Sequence, residues 1–183
     1  MNLRFGIMGA LIMGVVIALS LRIPSETKVD LVQKDIGYPQ RLVIPAIKVD
    51  TLIEQVGQDE EGRMAVPQDV YQAGWYKLGV KPGDKGNAVI DGHINTPELQ
   101  PSIFFELESL KAGDIVMVED DNDNTYTFKV FKVEEIPVDN FPIYEIFGPS
   151  DQSNLILITC SGIYDKYTDE YSSRVVVFAR LIN

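Results

Sequence analysis

Tyr126-Thr127-Phe128-Lys129-Val130-Phe131-Lys132-Val133 marks this chain as a β protein. Through Val130 its large apolar residues alternate with other types, the two-residue period of a strand with one dry and one wet face. Just upstream, Asp120-Asp121-Asn122-Asp123-Asn124 collects residues that tolerate turn geometry. It therefore joins this strand to the run Asp114 to Glu119 as a hairpin. Outward from the hairpin, short β-rich runs recur at 41–45, 49–56, 64–67, 87–94, 154–159 and 174–182, and the long strand itself extends over 125–136. Helical spacing is confined to Ile103 to Leu110, which stops before Gly113, and to one turn at Tyr144 to Phe147 before Gly148-Pro149. About eight short strands, few helices and no repeat of 20–50 residues predict a closed antiparallel barrel or a sandwich.

The amino terminus is read apart from this fold. Phe5 to Leu21 holds seventeen residues without a charge, between Arg4 and Arg22. At about 1.5 Å per residue this is near the lower limit for crossing a bilayer core of about 30 Å. Arg4 and the terminal amine favour an inside amino terminus. The expectation is an uncleaved signal-anchor, residues 1–23, with the bulk of the chain outside the cell as a single-pass membrane protein. Ala18-Leu19-Ser20 imitates a cleavage site, so a cleaved signal peptide is the alternative. Residues 24–39 are polar, broken by Pro24, Gly37 and Pro39, and read as a linker. Residues 40–183 suffice for one core and are too few for two ordinary domains.

With 16 basic and 27 acidic side chains the formal net charge is −11. Such a chain is repelled by phosphate backbones, which argues against nucleic-acid partners. Asp120, Asp121 and Asp123 read as a solvated acidic turn rather than as a calcium site; no metal and no cofactor are expected.

The chain has a single histidine, His93, and a single cysteine, Cys160. Any Cys–His chemistry must use this pair. His93 follows the run Asn87-Ala88-Val89-Ile90-Asp91-Gly92, and Cys160 follows Leu155-Ile156-Leu157-Ile158-Thr159 and precedes Ser161-Gly162. Each is expected where a strand ends at a rim. A lone cysteine cannot form an internal disulfide, so its thiol is either packing or reactive. A thiol attacks acyl groups only as thiolate and needs an acid for the leaving group, which imidazole supplies near neutrality. A guanidinium can stabilise the oxyanion, and Arg174 heads the last apolar run. Each residue also has a plainer reading: buried filler, a satisfied structural histidine, a strand-end surface charge.

Taken together, these segments resemble the sortases. Thr159-Cys160-Ser161-Gly162, and Tyr171-Ser172-Ser173-Arg174 with Val175 to Ala179 after it, are similar to the family's cysteine and arginine signatures. Asn87 to His93 resembles its histidine strand. Arg41 to Ile47, Gly74-Trp75-Tyr76, Pro82 to Gly86, Phe104 to Leu107 and Lys111 to Asp114 follow in the family order. The Cys160-Ser161-Gly162 turn looks closest to classes D, E and F. The resemblance implies an eight-stranded β-barrel, antiparallel or mixed, with one or two short helices behind a transmembrane helix. It implies a transpeptidase of Gram-positive bacteria in which Cys160 attacks after the threonine of an LPXTG-like sorting signal. His93 would act as acid and then base, and Arg174 would hold substrate and oxyanion. Thr159 would contribute to oxyanion binding, or be simply a β-branched strand residue. The acceptor would be an amine of the cell wall, with hydrolysis as a side reaction. Val138 to Ser150 corresponds to the family's specificity loop, and Phe141, Pro142, Ile143 and Tyr144 suit an apolar groove wall. Trp75 and Tyr76 read as core or rim packing.

Two alternatives stay open. A pilin polymerase would use a lysine acceptor and carry a lid, which Asp35 and Tyr38 mimic weakly. A non-catalytic tethered barrel binding an envelope partner would bury Cys160 away from His93.

Overall fold

The computed structural model describes residues 35–183, so the anchor expected at 1–23 and most of the linker lie outside the described residues. Among the described residues no helix is long and apolar enough to cross a membrane. Eight strands form the domain: β1 (Pro39–Ile44), β2 (Val49–Val56), β3 (Ala73–Tyr76), β4 (Gly86–Gly92), β5 (Ile115–Asp120), β6 (Thr125–Pro137), β7 (Ser153–Asp165) and β8 (Glu170–Leu181). They close into a barrel in the order β1-β2-β3-β4-β7-β8-β6-β5. Most pairs are antiparallel, while β2–β3 and β4–β7 are parallel. The sandwich alternative is thereby removed, and the mixed form of the expected barrel is the one adopted.

Side-chain alternation builds two apolar layers. On β7, Leu155 and Leu157 point into the barrel with Trp75, Phe104, Phe128 and Val177. Ile156 and Ile158 point outward, into a second cluster with Val89, Ile146, Val176 and Phe178. A single short helix, α1 (Ile143–Phe147), and the segment before it cover that outer cluster. This explains why 155–158 reads as an unbroken apolar run: both faces of β7 are dry. A Leu157→Ala change would cost about 2–5 kcal/mol through lost burial and the cavity left behind.

Four boundaries differ from the sequence reading. The run 64–67 is not a ladder strand: Met64 makes only an isolated bridge to Gln58, and β3 lies at 73–76. Pro67 cannot donate to a ladder, and the three apolar residues before it are too few to hold one. Ile103 to Leu110 forms turns and a 3-10 turn at Leu107–Ser109 rather than a helix. β7 does not end at Cys160; the ladder shifts register between Ser161 and Tyr164 and then resumes to Asp165. Gly162 takes φ +80° at that bulge, a left-handed conformation suited to glycine. Arg174 accordingly lies inside β8, not at its head.

The β5–β6 turn is also not simply solvated. Asp120 is buried, and its carboxylate accepts from the backbone N–H groups of Gly37, Asn122 and Asn124, from Asn124 Nδ2 and from Tyr126 Oη. Asp121 accepts from the Tyr38 N–H at 2.7 Å. The acidic turn thus pins the last linker residues, 36–39, against the barrel.

Candidate active site

The registers of three strands place the candidate residues. In the parallel β4–β7 pair every partner is offset by 67 positions, up to Asp91 opposite Ile158. Continued two residues, the same offset sets His93 opposite Cys160. In the antiparallel β7–β8 pair Cys160 is opposite Arg174. Cys160 and Arg174 therefore face each other across β7 and β8, and His93, the residue after β4 ends, falls in line with them. Alternation puts all three on the outer face. Ile90, Leu157 and Val175 fill the barrel, while Val89, Ile158 and Val176 lie in the outer cluster whose parity the three share.

Thr159 locks this row. It is buried, and its hydroxyl donates to the Gly92 carbonyl at 2.7 Å, so the residue before the thiol is bonded to the residue before the imidazole. Gly92 has no room for a side chain, because a Cβ would stand 2.7 Å from Phe104 Cδ2. His93 Nε2 lies 3.0 Å from the Pro67 carbonyl oxygen. A carbonyl only accepts, so that contact requires the proton on Nε2 and leaves Nδ1 to gain and lose the second proton. Arg174 Nη1 donates to the Tyr171 and Ser173 carbonyls at 3.0 and 2.9 Å. These bonds hold the planar guanidinium beside the thiol, and Nε and Nη2 make no hydrogen bond among the described residues.

The row borders a groove of about 1450 Å³. Ile158 and Asp91 lie in its floor; Val138, Phe141 and Ile143 form one wall, and the β2–β3 loop from Gln58 to Val66 forms another. Of the four residues read as a groove wall, Phe141 and Ile143 line the groove, whereas Pro142 does not and Tyr144 is strongly exposed away from it. Trp75 is core, while Tyr76 packs edge-on to Phe147 at the rim. Asp35 and Tyr38 do not line the groove; they are held at the β5–β6 turn.

The thiol is partly buried. Burial pushes Cys160 above its ordinary value, the Arg174 charge pulls it down, and Asp91 and Glu170 push it up. Asp91 itself is raised well above the usual carboxylate range, by burial first and by the like charge of Glu54. While Asp91 keeps its proton it carries no charge to oppose a thiolate. Sequence reading passed over Asp91, although it shares strand parity with His93, two positions on. The Pro67 carbonyl has no sequence signal, since a backbone acceptor is placed by the loop alone.

The Sortase domain family matches residues 42–182. The chain belongs to the sortase family. A curated relative, "Sortase A" of Bacillus anthracis, is 32% identical over 98 residues, which is 54% of this chain and 41% of that protein. The matched stretch thus spans about two fifths of that sortase. Among solved structures, sortase C1 of Streptococcus agalactiae superposes with a TM-score of 0.61 at 20% identity, covering 79% of this chain and 67% of that one. A lid mutant of sortase A from Corynebacterium diphtheriae gives 0.61 at 19% identity, with 82% and 73% covered. Sortase C of Clostridium perfringens gives 0.59 at 18% identity, with 81% and 72% covered. At these identities the superpositions speak for the shared barrel, and this sortase has the same all-β closed architecture.

Proposed function

We propose that this sortase is a cysteine transpeptidase that cleaves an LPXTG-like sorting signal after its threonine and passes the protein to an amine of the cell wall. The observation that carries the reading is the single row His93, Cys160, Arg174 beside one groove. The Cys160 thiolate adds to the scissile carbonyl carbon, and Arg174 steadies the resulting oxyanion. The C–N bond then breaks, and the departing amine takes its proton from the His93 imidazolium. The acceptor amine attacks the thioester, gives its proton to His93, and Cys160 leaves as thiolate. Thr159 contributes through the strand geometry it holds, its hydroxyl proton being engaged on Gly92. The anchor at 1–23 would tether the enzyme as a single-pass protein with its catalytic domain outside the cell. A class D, E or F assignment rests on the Cys160-Ser161-Gly162 sequence.

Cell-wall attachment is preferred to pilin polymerisation because Asp35 and Tyr38, the lid candidates, stay away from the groove. The test is mass detection of a thioacyl-enzyme with sorting peptides. Wild type should accumulate the adduct and Cys160→Ala should not; turnover retained by Cys160→Ala overturns the reading. Competition of glycine or diaminopimelate-type amines against pilin lysines then identifies the acceptor.

A further inference from the structure

One row away from the candidate catalytic residues the groove floor carries an acid that the mechanism does not use. Gly74 on β3, Asp91 on β4, Ile158 on β7 and Val176 on β8 are successive register partners. Two residues along the strands, about 7 Å, separate this row from that of Cys160. Asp91 has the outward parity of Val89 and lines the groove. Its carboxyl lies over Gly74, where a Cβ would be 2.6 Å from Oδ1, 3.0 Å from Pro67 Cδ and 3.1 Å from Val56 Cγ1. Oδ1 is sealed from solvent and has no hydrogen-bond partner. The residue as a whole is only half-buried and lines the groove.

Among the described residues no cation pairs with this group. Glu54, the charge that bears on it, is of like sign and accepts from the Gln68 and Asp69 N–H groups. The neighbours in its row are apolar: Ile158 and Val176 belong to the outer cluster. Oδ1 itself stays out of a ligand's reach, but sealing it leaves the carboxyl poorly solvated, a cost that a partner bonded to the rest of the group can relieve. One convergent polar group in an otherwise apolar floor is also how a pocket sets orientation and choice of ligand. A protonated carboxyl offers one donor and one acceptor, the complement of a side-chain carboxamide or hydroxyl.

We propose that Asp91 is a specificity-determining residue of the groove, selecting peptides that place an uncharged hydrogen-bonding side chain, a carboxamide or a hydroxyl, over the Asp91–Ile158 row. The inference rests on the groove being the peptide site, as the proposed function has it. The apolar floor and the like-charged Glu54 disfavour an acidic peptide side chain there, and an aliphatic one leaves the acid unpaired.

The test uses sorting peptides scanned position by position with shape-matched pairs, Leu against Asn and Val against Thr, plus Lys. Binding to full-length protein carrying Cys160→Ala is measured by calorimetry, and acylation kcat/KM is measured on the protein with its thiol. At one peptide position the polar member should be favoured by about tenfold or more. Asp91→Leu should abolish or reverse that preference, and Asp91→Asn should keep most of it. Asp91→Ala serves if Asp91→Leu fails to fold by thermal melting. An unchanged preference in the apolar variants, a preference for Lys over both neutral polar side chains, or no binding of any peptide overturns the proposal. An Asp91-dependent preference in binding without any acyl-enzyme supports it while sinking the transpeptidase reading, so the two failures are told apart.

Discussion

The Thr159 hydroxyl donates to the Gly92 carbonyl at 2.7 Å, joining β7 to β4 one residue before the thiol and one before the imidazole. A parallel strand pair carries no hairpin to hold its register, so this buried side-chain bond helps set where His93 stands against Cys160. Thr159→Val keeps shape but leaves the Gly92 carbonyl unpaired. It should cost about 1–3 kcal/mol in thermal unfolding and slow acylation by roughly tenfold or more through misplacement. Thr159→Ser should restore both; a wild-type acylation rate in Thr159→Val would show that the bond does not position the pair.

Cys160 should titrate above an ordinary thiol. Burial disfavours the thiolate, Arg174 favours it, and Asp91 and Glu170 oppose it. Iodoacetamide alkylation followed against pH should therefore have its midpoint above the free-cysteine value of about 8.5. Arg174→Gln should move it higher and Glu170→Gln lower. A midpoint below the free value, or shifts of opposite sign, contradicts the electrostatics of the row.

Asp120 links acid sensitivity to the barrel's first strand. Burial alone would push its carboxyl up, but hydrogen bonds from Asn124, Gly37 and Tyr126 outweigh it and hold it below the usual range. A depressed folded value means stabilisation present above the unfolded value near 3.9 and lost as pH falls through the folded one. Asp120→Ala should cost about 2–4 kcal/mol at pH 7, since several donors lose their acceptor. Urea unfolding of both proteins should show this gap shrinking below pH 4; a gap that persists at lower pH argues against the linkage.

Gly92→Ala tests the packing behind His93. The added methyl would meet Phe104 Cδ2 at 2.7 Å and Ile103 Cγ2 at 3.0 Å. Both belong to a segment bonded to the same strand end, where the Phe104 N–H donates to the His93 carbonyl at 3.0 Å. We expect about 1–3 kcal/mol of destabilisation from overpacking, with acylation lowered beyond what thermal unfolding alone explains. Full activity with unchanged stability would mean that the 103–104 segment yields freely.

The chain's local patterns determined the strand inventory and the identity of the chemical groups. The alternation from Tyr126 to Val130, the turn at 120–124 and the doubly apolar run 155–158 are written in residue periods, which depend only on near neighbours. One histidine and one cysteine leave a single candidate Cys–His pair, whatever the contacts. Tertiary structure decided the rest, because register and burial are properties of strands far apart in the chain. It set the offset that brings His93 to Cys160 and chose β3 at 73–76 over 64–67. Cys160 became an interior position of a bulged strand, and Asp120 a buried anchor where a wet turn was expected. Asp91, one more acid among 27 in the sequence, stands out only once Gly74, Val56 and Pro67 close around its carboxyl and leave Oδ1 without a partner.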